Sequence, residues 1–221
     1  MFTRSLEEAA GELIATHVAE SGVEVQAQTT IERLDGEKEL EAVVTNRGEH
    51  ATTLLGVGIG IEPDFSWLQD AGVETNLGII TNEYLETNVP NVYAAGDIAE
   101  FFDPIVSRQL QIGNWMNAMS QGRTVAKSMT GERTEFRLVS SYATNILGLE
   151  IIFIGDVEKA AAHQIHTIGS IESGGVTQVF ERDGRVVGGA LIGRNTDRAP
   201  ITRVIQERLP FKEIASSPAP L

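Results

Sequence analysis

Apolar residues at the start of the chain recur with helical spacing. The recurrence runs from Leu6 to Val18 and predicts a helix with one apolar face. Ser5 and Glu8 have the spacing of a capping box at its start. Gly22 supplies a stop, because glycine readily adopts the left-handed conformation that ends helices. The first predicted element is therefore an amphipathic helix that buries one face.

The pattern after this helix changes to that of strands. Strands are predicted over residues 23–27, 40–44, 54–61, 79–80 and 89–95, with a turn at Asp35–Gly36 before the second. The run over 54–61 is continuously apolar, which is typical of a strand buried on both faces of a sheet. A short helix is predicted over 65–71, and a long helix over 107–129 that ends before Gly131.

Strand-like patterns return after this long helix. They cover residues 151–154, 165–171, 176–180 and 186–192. Asp183–Gly184 separates the last two and is a strong hairpin signal. A terminal helix is predicted over 196–209, with Asn195 as its cap. These elements predict a separate α+β domain over residues 134–221.

The most informative motif is the eleven-residue run 87–97, which ends in Gly96–Asp97. Glycine lets a ligand approach the main chain, and an ionised Asp accepts hydrogen bonds from hydroxyl groups. At the carboxyl end of a strand in an α/β sheet, such a pair lies where ligands bind. The Gly–Asp pair alone is also typical of a simple turn, so the assignment depends on the whole run.

The whole run resembles the second FAD-binding motif of the pyridine nucleotide–disulfide oxidoreductase superfamily. The resemblance extends to residues 57–63, 78–80, 114–118 and 121–123. It implies that Asp97 accepts hydrogen bonds from the ribityl chain of FAD and that Gly96 is a close-approach position. It also implies that the helix predicted after Ser107 points its N-terminus at the flavin, where the helix dipole stabilises negative charge.

The same resemblance implies the fold and the other site residues. It implies an α/β fold: remnants of two Rossmann-like nucleotide-binding lobes, followed by a small α+β interface domain. Residues 1–62 would then belong to the NAD(P)H-binding lobe, 63–133 to the FAD-binding lobe, and 134–221 to a dimerisation domain. The expected cofactors are FAD and NAD(P)H. The residues expected beside the bound nicotinamide nucleotide are Gly58, Gly60 and Pro63. Trp115 is either a ring beside the flavin or a core tryptophan.

The glycine turns that open both nucleotide sites in this superfamily are missing. None of the 22 glycines gives the Gly-x-Gly-x-x-Gly spacing that holds a pyrophosphate at a helix N-terminus. The sequence therefore predicts the C-terminal part of an FAD-dependent NAD(P)H oxidoreductase, or one half of a split one that needs an N-terminal partner. No catalytic side chain is predicted, because the cofactors carry the chemistry. The alternative is a non-catalytic assembly or dimerisation module.

Charge and composition restrict the partners. Residues 1–100 carry 19 acidic and 4 basic side chains, which argues against nucleic acid or anionic lipid as a partner. No apolar run of 18 residues and no apolar signal segment occurs, so a cytoplasmic protein without a membrane span is expected. There is no cysteine, and His163 and His166 lack ligand partners at suitable spacing, so no metal site is predicted.

The histidines also indicate a branch of the superfamily. Dithiol reductases carry a His–Glu dyad late in the chain, whereas no histidine follows His166 here. The resemblance is therefore to the ferredoxin, rubredoxin and nitrite reductase branch, with an electron-acceptor protein as a possible partner. Members similar to NADH oxidases stay open as an alternative.

Overall fold

The computed structural model describes residues 5–215, which form three sheets and five α-helices. The helices are α1 (Glu8–Glu20), α2 (Ser66–Asp70), α3 (Trp115–Met129), α4 (Arg198–Gln206) and α5 (Lys212–Ala215). The strands are β1 (Ile31–Asp35), β2 (Ala42–Thr45), β3 (Gly48–Ala51), β4 (Ile79–Thr81), β5 (Ala99–Asp103), β6 (Arg108–Gln111), β7 (Ser141–Ile146), β8 (Leu149–Gly155), β9 (Gln164–Ser170), β10 (Gly175–Arg182) and β11 (Arg185–Ile192). Within residues 5–215, no helix combines the length and apolar character needed to cross a bilayer.

The three sheets differ in pairing. The first is the antiparallel meander β1–β2–β3. The second has the order β4–β5–β6, with β4 parallel to β5 and β6 antiparallel to it. The third is antiparallel, in the order β7–β8–β11–β10–β9. The largest core lies on this third sheet, where buried side chains of β8, β10 and β11 pack with α4.

Helix α1 packs on the third sheet although it lies far from it along the chain. Its buried residues Ala10, Leu13, Ile14 and Val18 belong to the same core cluster as β10. The helix is confirmed, but the capping box is not, because Glu7 occupies the cap position without a side-chain hydrogen bond. The N–H of Glu7 instead donates to Gln178 Oε1 at 3.0 Å.

Three predicted strands in the first half are wrong. Residues 23–27 and 54–61 contain no strand, and residues 89–95 contain only the bridge residue Tyr93, paired with Glu86. The segment over 54–61 pairs with no strand among residues 5–215, so its apolar run has no sheet to enter. In the 89–95 segment, Pro90 and Asn91 form a turn in which Asn91 has a φ of 63°. Turn geometry there overrides the alternating pattern.

The first part of the predicted long helix is a β-hairpin. Residues 108–111 form β6, and α3 begins only at Trp115. Asp103 Oδ1 accepts hydrogen bonds from the N–H groups of Ile105 (2.7 Å) and Val106 (3.2 Å) and so organises the hairpin tip. Ile105 and Val106 are buried in the main core, which holds this tip against the third sheet.

The predictions for the C-terminal segment are largely confirmed. All four predicted strands form, and the pattern missed only β7. Asp183 and Gly184 make the predicted hairpin turn with φ values of 50° and 71°. The terminal helix α4 begins two residues later than predicted. Asn195 does not cap it, because the Asn195 amide donates to the Glu150 carboxylate instead.

Candidate functional site

The Gly96–Asp97 pair lies in a turn that precedes β5, not at the end of a strand. The predicted strand before it is absent, so the carboxylate is placed by the turn. Asp97 is exposed, and a Cβ added to Gly113 would lie 3.4 Å from Asp97 Cγ and 3.5 Å from Oδ2. The carboxylate therefore rests beside a position without a side chain, two residues before α3.

The N-terminus of α3 lies beside this carboxylate. Asn114 caps the helix by accepting a hydrogen bond from the N–H of Asn117 at 2.8 Å, and its amide donates to Ser140 Oγ at 3.2 Å. The first N–H groups of a helix carry partial positive charge and attract anions or negative charge. Because α3 has 15 residues, it provides a full helix N-terminus next to an exposed carboxylate.

Three side-chain amides fix the loops around Asp97. Gln121 Oε1 accepts a hydrogen bond from the N–H of Gly96 at 2.7 Å. Gln111 Nε2 donates to the carbonyl of Asp97 at 3.0 Å, and Asn117 Nδ2 donates to the carbonyl of Ile112 at 3.1 Å. The sequence analysis missed these roles. The sequence feature that could have indicated them is the spacing of Asn117 and Gln121, two polar residues four positions apart that are both buried on α3.

Glycine is required at position 96 by the backbone. Its φ is +88°, in the left-handed region that residues with a Cβ rarely adopt. A Cβ there would lie 3.5 Å from the Cβ of Ala118, which is ordinary van der Waals contact. The turn therefore selects glycine through its conformation, while α3 leaves enough space for a methyl group.

Trp115 is not a core residue among the described residues. Its exposed fraction is 74% at the first position of α3, and Met116 beside it is 51% exposed. Within residues 5–215 no core therefore encloses this tryptophan. Its expected place beside the flavin stays a prediction.

The predicted nucleotide-side residues lie on the exposed 54–61 segment and just after it. A Cβ added to Gly58 or Gly60 would meet nothing within 4 Å, and Pro63 is exposed. No hydrogen bond among residues 5–215 links these positions to Gly96 or Asp97. The structure therefore leaves these positions accessible and without a hydrogen bond to the Gly–Asp turn.

A groove runs from Gly113 along β6 towards the third sheet. It has a volume of about 800 Å³, within the usual range of ligand sites. Tyr142 and Phe153 line it with their rings stacked at a centroid distance of 5.1 Å, and Gln111 and Ser140 contribute polar groups. Partial burial raises the pKa of the Tyr142 hydroxyl.

The tip of the β5–β6 hairpin is held by arginines from distant elements. Arg182 Nη2 donates to the carbonyl of Val106 at 2.7 Å, and Arg208 Nη2 donates to Ser107 Oγ at 3.0 Å. Burial of the Asp103 carboxyl in this cluster raises its pKa. The hairpin begins two residues after Asp97 and ends two residues before Gly113. Its anchors therefore help to fix both sides of the candidate site.

Two histidines of the C-terminal segment pair with carboxylates. His166 Nε2 lies 2.8 Å from Glu181 Oε2, and the His166 ring stacks on Phe211 at 3.8 Å. His163 Nδ1 lies 3.4 Å from Asp183 Oδ1. In the part of the chain that the structure describes, no group of three or more His, Cys, Asp or Glu side chains is arranged to hold a metal ion.

The sequence is similar to known families and proteins. It matches the family described as pyridine nucleotide-disulphide oxidoreductase over residues 1–122. It is 24% identical over 216 residues to the nitrite reductase (NAD(P)H) of Bacillus subtilis, which covers 96% of this chain and 26% of that protein. It is 28% identical over 214 residues to the rhodocoxin reductase of Rhodococcus erythropolis, which covers 94% of this chain and 49% of that protein. The chain therefore spans about half the length of these relatives or less.

Solved structures share the fold. The structure matches putidaredoxin reductase in its covalent complex with putidaredoxin with a TM-score of 0.82 and 21% identity, covering 97% of this chain and 55% of that one. It matches a ferredoxin reductase from Rhodopseudomonas palustris with a TM-score of 0.81 and 20% identity, covering 95% and 52%. These likenesses confirm the predicted α/β class with Rossmann-like lobes. The domain boundaries stay predictions.

Proposed function

The chain belongs to the pyridine nucleotide–disulphide oxidoreductase family, and from that premise we propose that it supplies part of an FAD-dependent NAD(P)H oxidoreductase. Family membership supports FAD and NAD(P)H as the cofactors. The observation that carries the proposal is the exposed carboxylate of Asp97, which lies beside Gly113 at the start of α3.

The residues around Asp97 fit the ribityl end of FAD. An ionised Asp accepts hydrogen bonds from vicinal hydroxyl groups, and Gly113 leaves room for a chain of such groups to approach. The N-terminus of α3 favours negative charge on a ring system placed beside it. When bound, FAD accepts a hydride from NAD(P)H and passes electrons to an acceptor. In this proposal Asp97 and Gly96 hold and orient the cofactor.

Two further sets of residues have proposed roles. The exposed ring of Trp115, at the first position of α3, would pack beside the bound ring systems and exclude water from them. The open backbone at Gly58 and Gly60, followed by Pro63, would lie along the nicotinamide nucleotide. Glycines suit this role because they allow a nucleotide to approach the main chain.

We also propose that an N-terminal half or complementary subunit packs on the 54–61 segment. Leu54, Val57, Ile59 and Ile61 have exposed fractions of 84%, 68%, 91% and 85%. Contiguous exposed apolar side chains mark an interaction surface. The relatives are about twice as long as this chain or longer, which supports a further polypeptide as the occupant. The C-terminal domain is the proposed surface for a second copy of the chain.

The acceptor is proposed to be a small electron-transfer protein. Relatives of the chain are named as reductases of rubredoxin and rhodocoxin, and a structural neighbour is a reductase–putidaredoxin complex.

Flavin titration tests the proposal. The chain, mixed with a polypeptide that carries the two glycine-rich turns of the family, should bind FAD with quenching of flavin fluorescence. Asp97→Ala should weaken binding by about 10- to 100-fold, because a hydrogen bond to a charged group contributes about 1.5–3 kcal/mol. Asp64→Ala is the matched control, since Asp64 is likewise an exposed Asp outside the helices and strands, and its carboxylate accepts a hydrogen bond from the N–H of Ser66. Equal FAD affinity of the Asp97→Ala and wild-type mixtures would contradict the role of Asp97.

The second candidate is the non-catalytic assembly module. The exposed 54–61 segment favours it, because the segment provides a docking surface whether or not flavin binds. Tight assembly of the mixture without flavin uptake would establish this candidate and exclude the oxidoreductase.

A further inference from the structure

We infer that Gln121 is a positioning residue that sets the place of Asp97 through the backbone of Gly96. The inference rests on the proposed function, because it concerns how the site holds the ribityl chain of FAD. It assigns a role to a buried amide of α3 that contacts neither cofactor directly.

The first argument is the bond itself. Gln121 is fully buried, and its Oε1 accepts the N–H of Gly96 at 2.7 Å. Gly96 immediately precedes Asp97, so this bond sets where the chain enters the turn. The Gly96 backbone is in the left-handed region, with a φ of 88°.

The second argument is that two further side-chain amides, those of Gln111 and Asn117, hold the backbone on either side of the Asp97 carboxylate. Gln111 Nε2 holds the carbonyl of Asp97, and Asn117 Nδ2 holds the carbonyl of Ile112, the residue before Gly113. The turn and the Gly113 segment are therefore both tied by side-chain amides, two of them from successive turns of α3. The distance between the Asp97 carboxylate and the helix N-terminus follows from these bonds.

The third argument comes from unused hydrogen-bonding capacity. Within the described part of the chain, Nε2 of Gln121 and Oδ1 of Asn117 are buried without a hydrogen-bond partner. An unpaired buried polar atom costs about 1–3 kcal/mol. An apolar side chain at position 121 would avoid this cost, so the presence of glutamine indicates a need for its acceptor oxygen at Gly96.

The chain contains a matched control for this amide. Gln178 on β10 is also fully buried, its Oε1 accepts one backbone N–H, that of Glu7 at 3.0 Å, and its Nε2 has no partner among residues 5–215. It contacts α1 rather than the candidate site. Gln121→Met and Gln178→Met therefore remove the same kind of bond, of which only the first touches Gly96.

The test has a readout in the chain alone. Amide hydrogen exchange followed by NMR should show the Gly96 N–H exchanging about fivefold faster in Gln121→Met, since a neutral hydrogen bond contributes about 1 kcal/mol. It should be unchanged in Gln178→Met, and Gln121→Glu should keep it protected because an acceptor oxygen remains. If Gln121→Met does not fold, Gln111→Ala removes the second anchor of the turn and should accelerate exchange around Asp97. Unchanged exchange in the folded variant overturns the inference.

The second readout separates positioning from general loosening. In the mixture with the N-terminal polypeptide, Gln121→Met should raise the Kd for FAD about tenfold. This effect should vanish in the Asp97→Ala background, because Gln121 acts through that carboxylate. Additive effects of the two substitutions overturn the inference and leave the proposed function intact. Absence of FAD binding by the wild-type mixture defeats both, since Gln121 would then hold a turn that positions no cofactor.

Discussion

Arg108 Nη1 lies 3.1 Å from Asp156 Oδ2, and this ion pair joins the β5–β6 hairpin to the end of β8. The same carboxylate oxygen receives Arg182 Nη1 at 2.9 Å, and the Asp156 side chain is only 4% exposed. Arg108 reaches Glu158 with its second nitrogen at 2.6 Å. One buried carboxylate therefore connects the strand next to the candidate site with two strands of the C-terminal sheet.

Asp156→Ala should lower the free energy of unfolding by about 3 kcal/mol, because Arg182 is largely buried and would lose its carboxylate partner, while Arg108 would keep Glu158. Urea unfolding followed by circular dichroism measures this change. Asp35→Ala is the control, since the Arg33–Asp35 pair lies on the surface and should contribute little. Equal unfolding midpoints for the two variants would show that Asp156 does not hold the hairpin.

Asp103→Asn should stabilise the protein relative to wild type as the pH rises. Burial raises the pKa of Asp103 above its usual value of 3.8, so the folded state favours the protonated carboxyl. The wild type therefore loses stability as the pH rises from 3.8 through the raised folded pKa. The amide of the variant keeps an oxygen for the N–H of Ile105 and carries no charge. The free energies of unfolding of the variant and the wild type should differ at neutral pH and agree in acid. A difference that does not change with pH would contradict the raised pKa of Asp103.

Glu86→Gln should make stability less sensitive to acid. The Arg133 guanidinium donates two hydrogen bonds of 2.8 Å to the Glu86 carboxylate, and Asn82 donates a third, which together lower the Glu86 pKa to about 2. Its stabilising contribution is therefore complete above its unfolded value of 4.5 and is lost as the pH falls towards about 2. Between pH 4.5 and about 2, the free energy of unfolding should change less with pH in Glu86→Gln than in the wild type. Arg133→Gln should reduce this pH dependence as well. A pH dependence equal to that of the wild type in both variants would contradict the pairing.

Gly96→Ala should destabilise the protein by about 1–2 kcal/mol, the cost of the left-handed conformation for a residue with a Cβ. The strain is conformational, because the added methyl would only touch Ala118. Ala118→Gly should therefore fail to rescue Gly96→Ala when thermal unfolding of the single and double variants is compared. Full rescue would mean that the position is limited by space rather than by φ.

Most elements that could be predicted from sequence have partners or stop signals close along the chain, and α1 is an exception that its amphipathic pattern predicts. The strands β10 and β11 follow from their pattern and from the Asp183–Gly184 turn, which sets φ values that few other residues tolerate. The short helix α2 was predictable on the same local grounds, because Gly72 supplies a stop signal two residues after its end.

The remaining elements depend on contacts that no local pattern reveals. The β5–β6 hairpin was mistaken for the start of a helix because its tip is fixed by Arg182 and Arg208, which lie far along the sequence. The strand predicted over 54–61 fails because an apolar run becomes a strand only where a neighbour can pair with it. The role of Gln121 depends on a hydrogen bond to Gly96, 25 positions earlier, which no local pattern around Gln121 indicates.

Helix α1 has a consequence for synthesis. Glu7 and Gln178, which tie α1 to its sheet, are 171 positions apart. At a translation rate of roughly 5–20 residues per second, α1 is synthesised roughly 10–30 s before β10. During that interval the apolar face of α1 lacks its partner strand, so its leucine and isoleucine side chains can bind chaperones or other nascent chains.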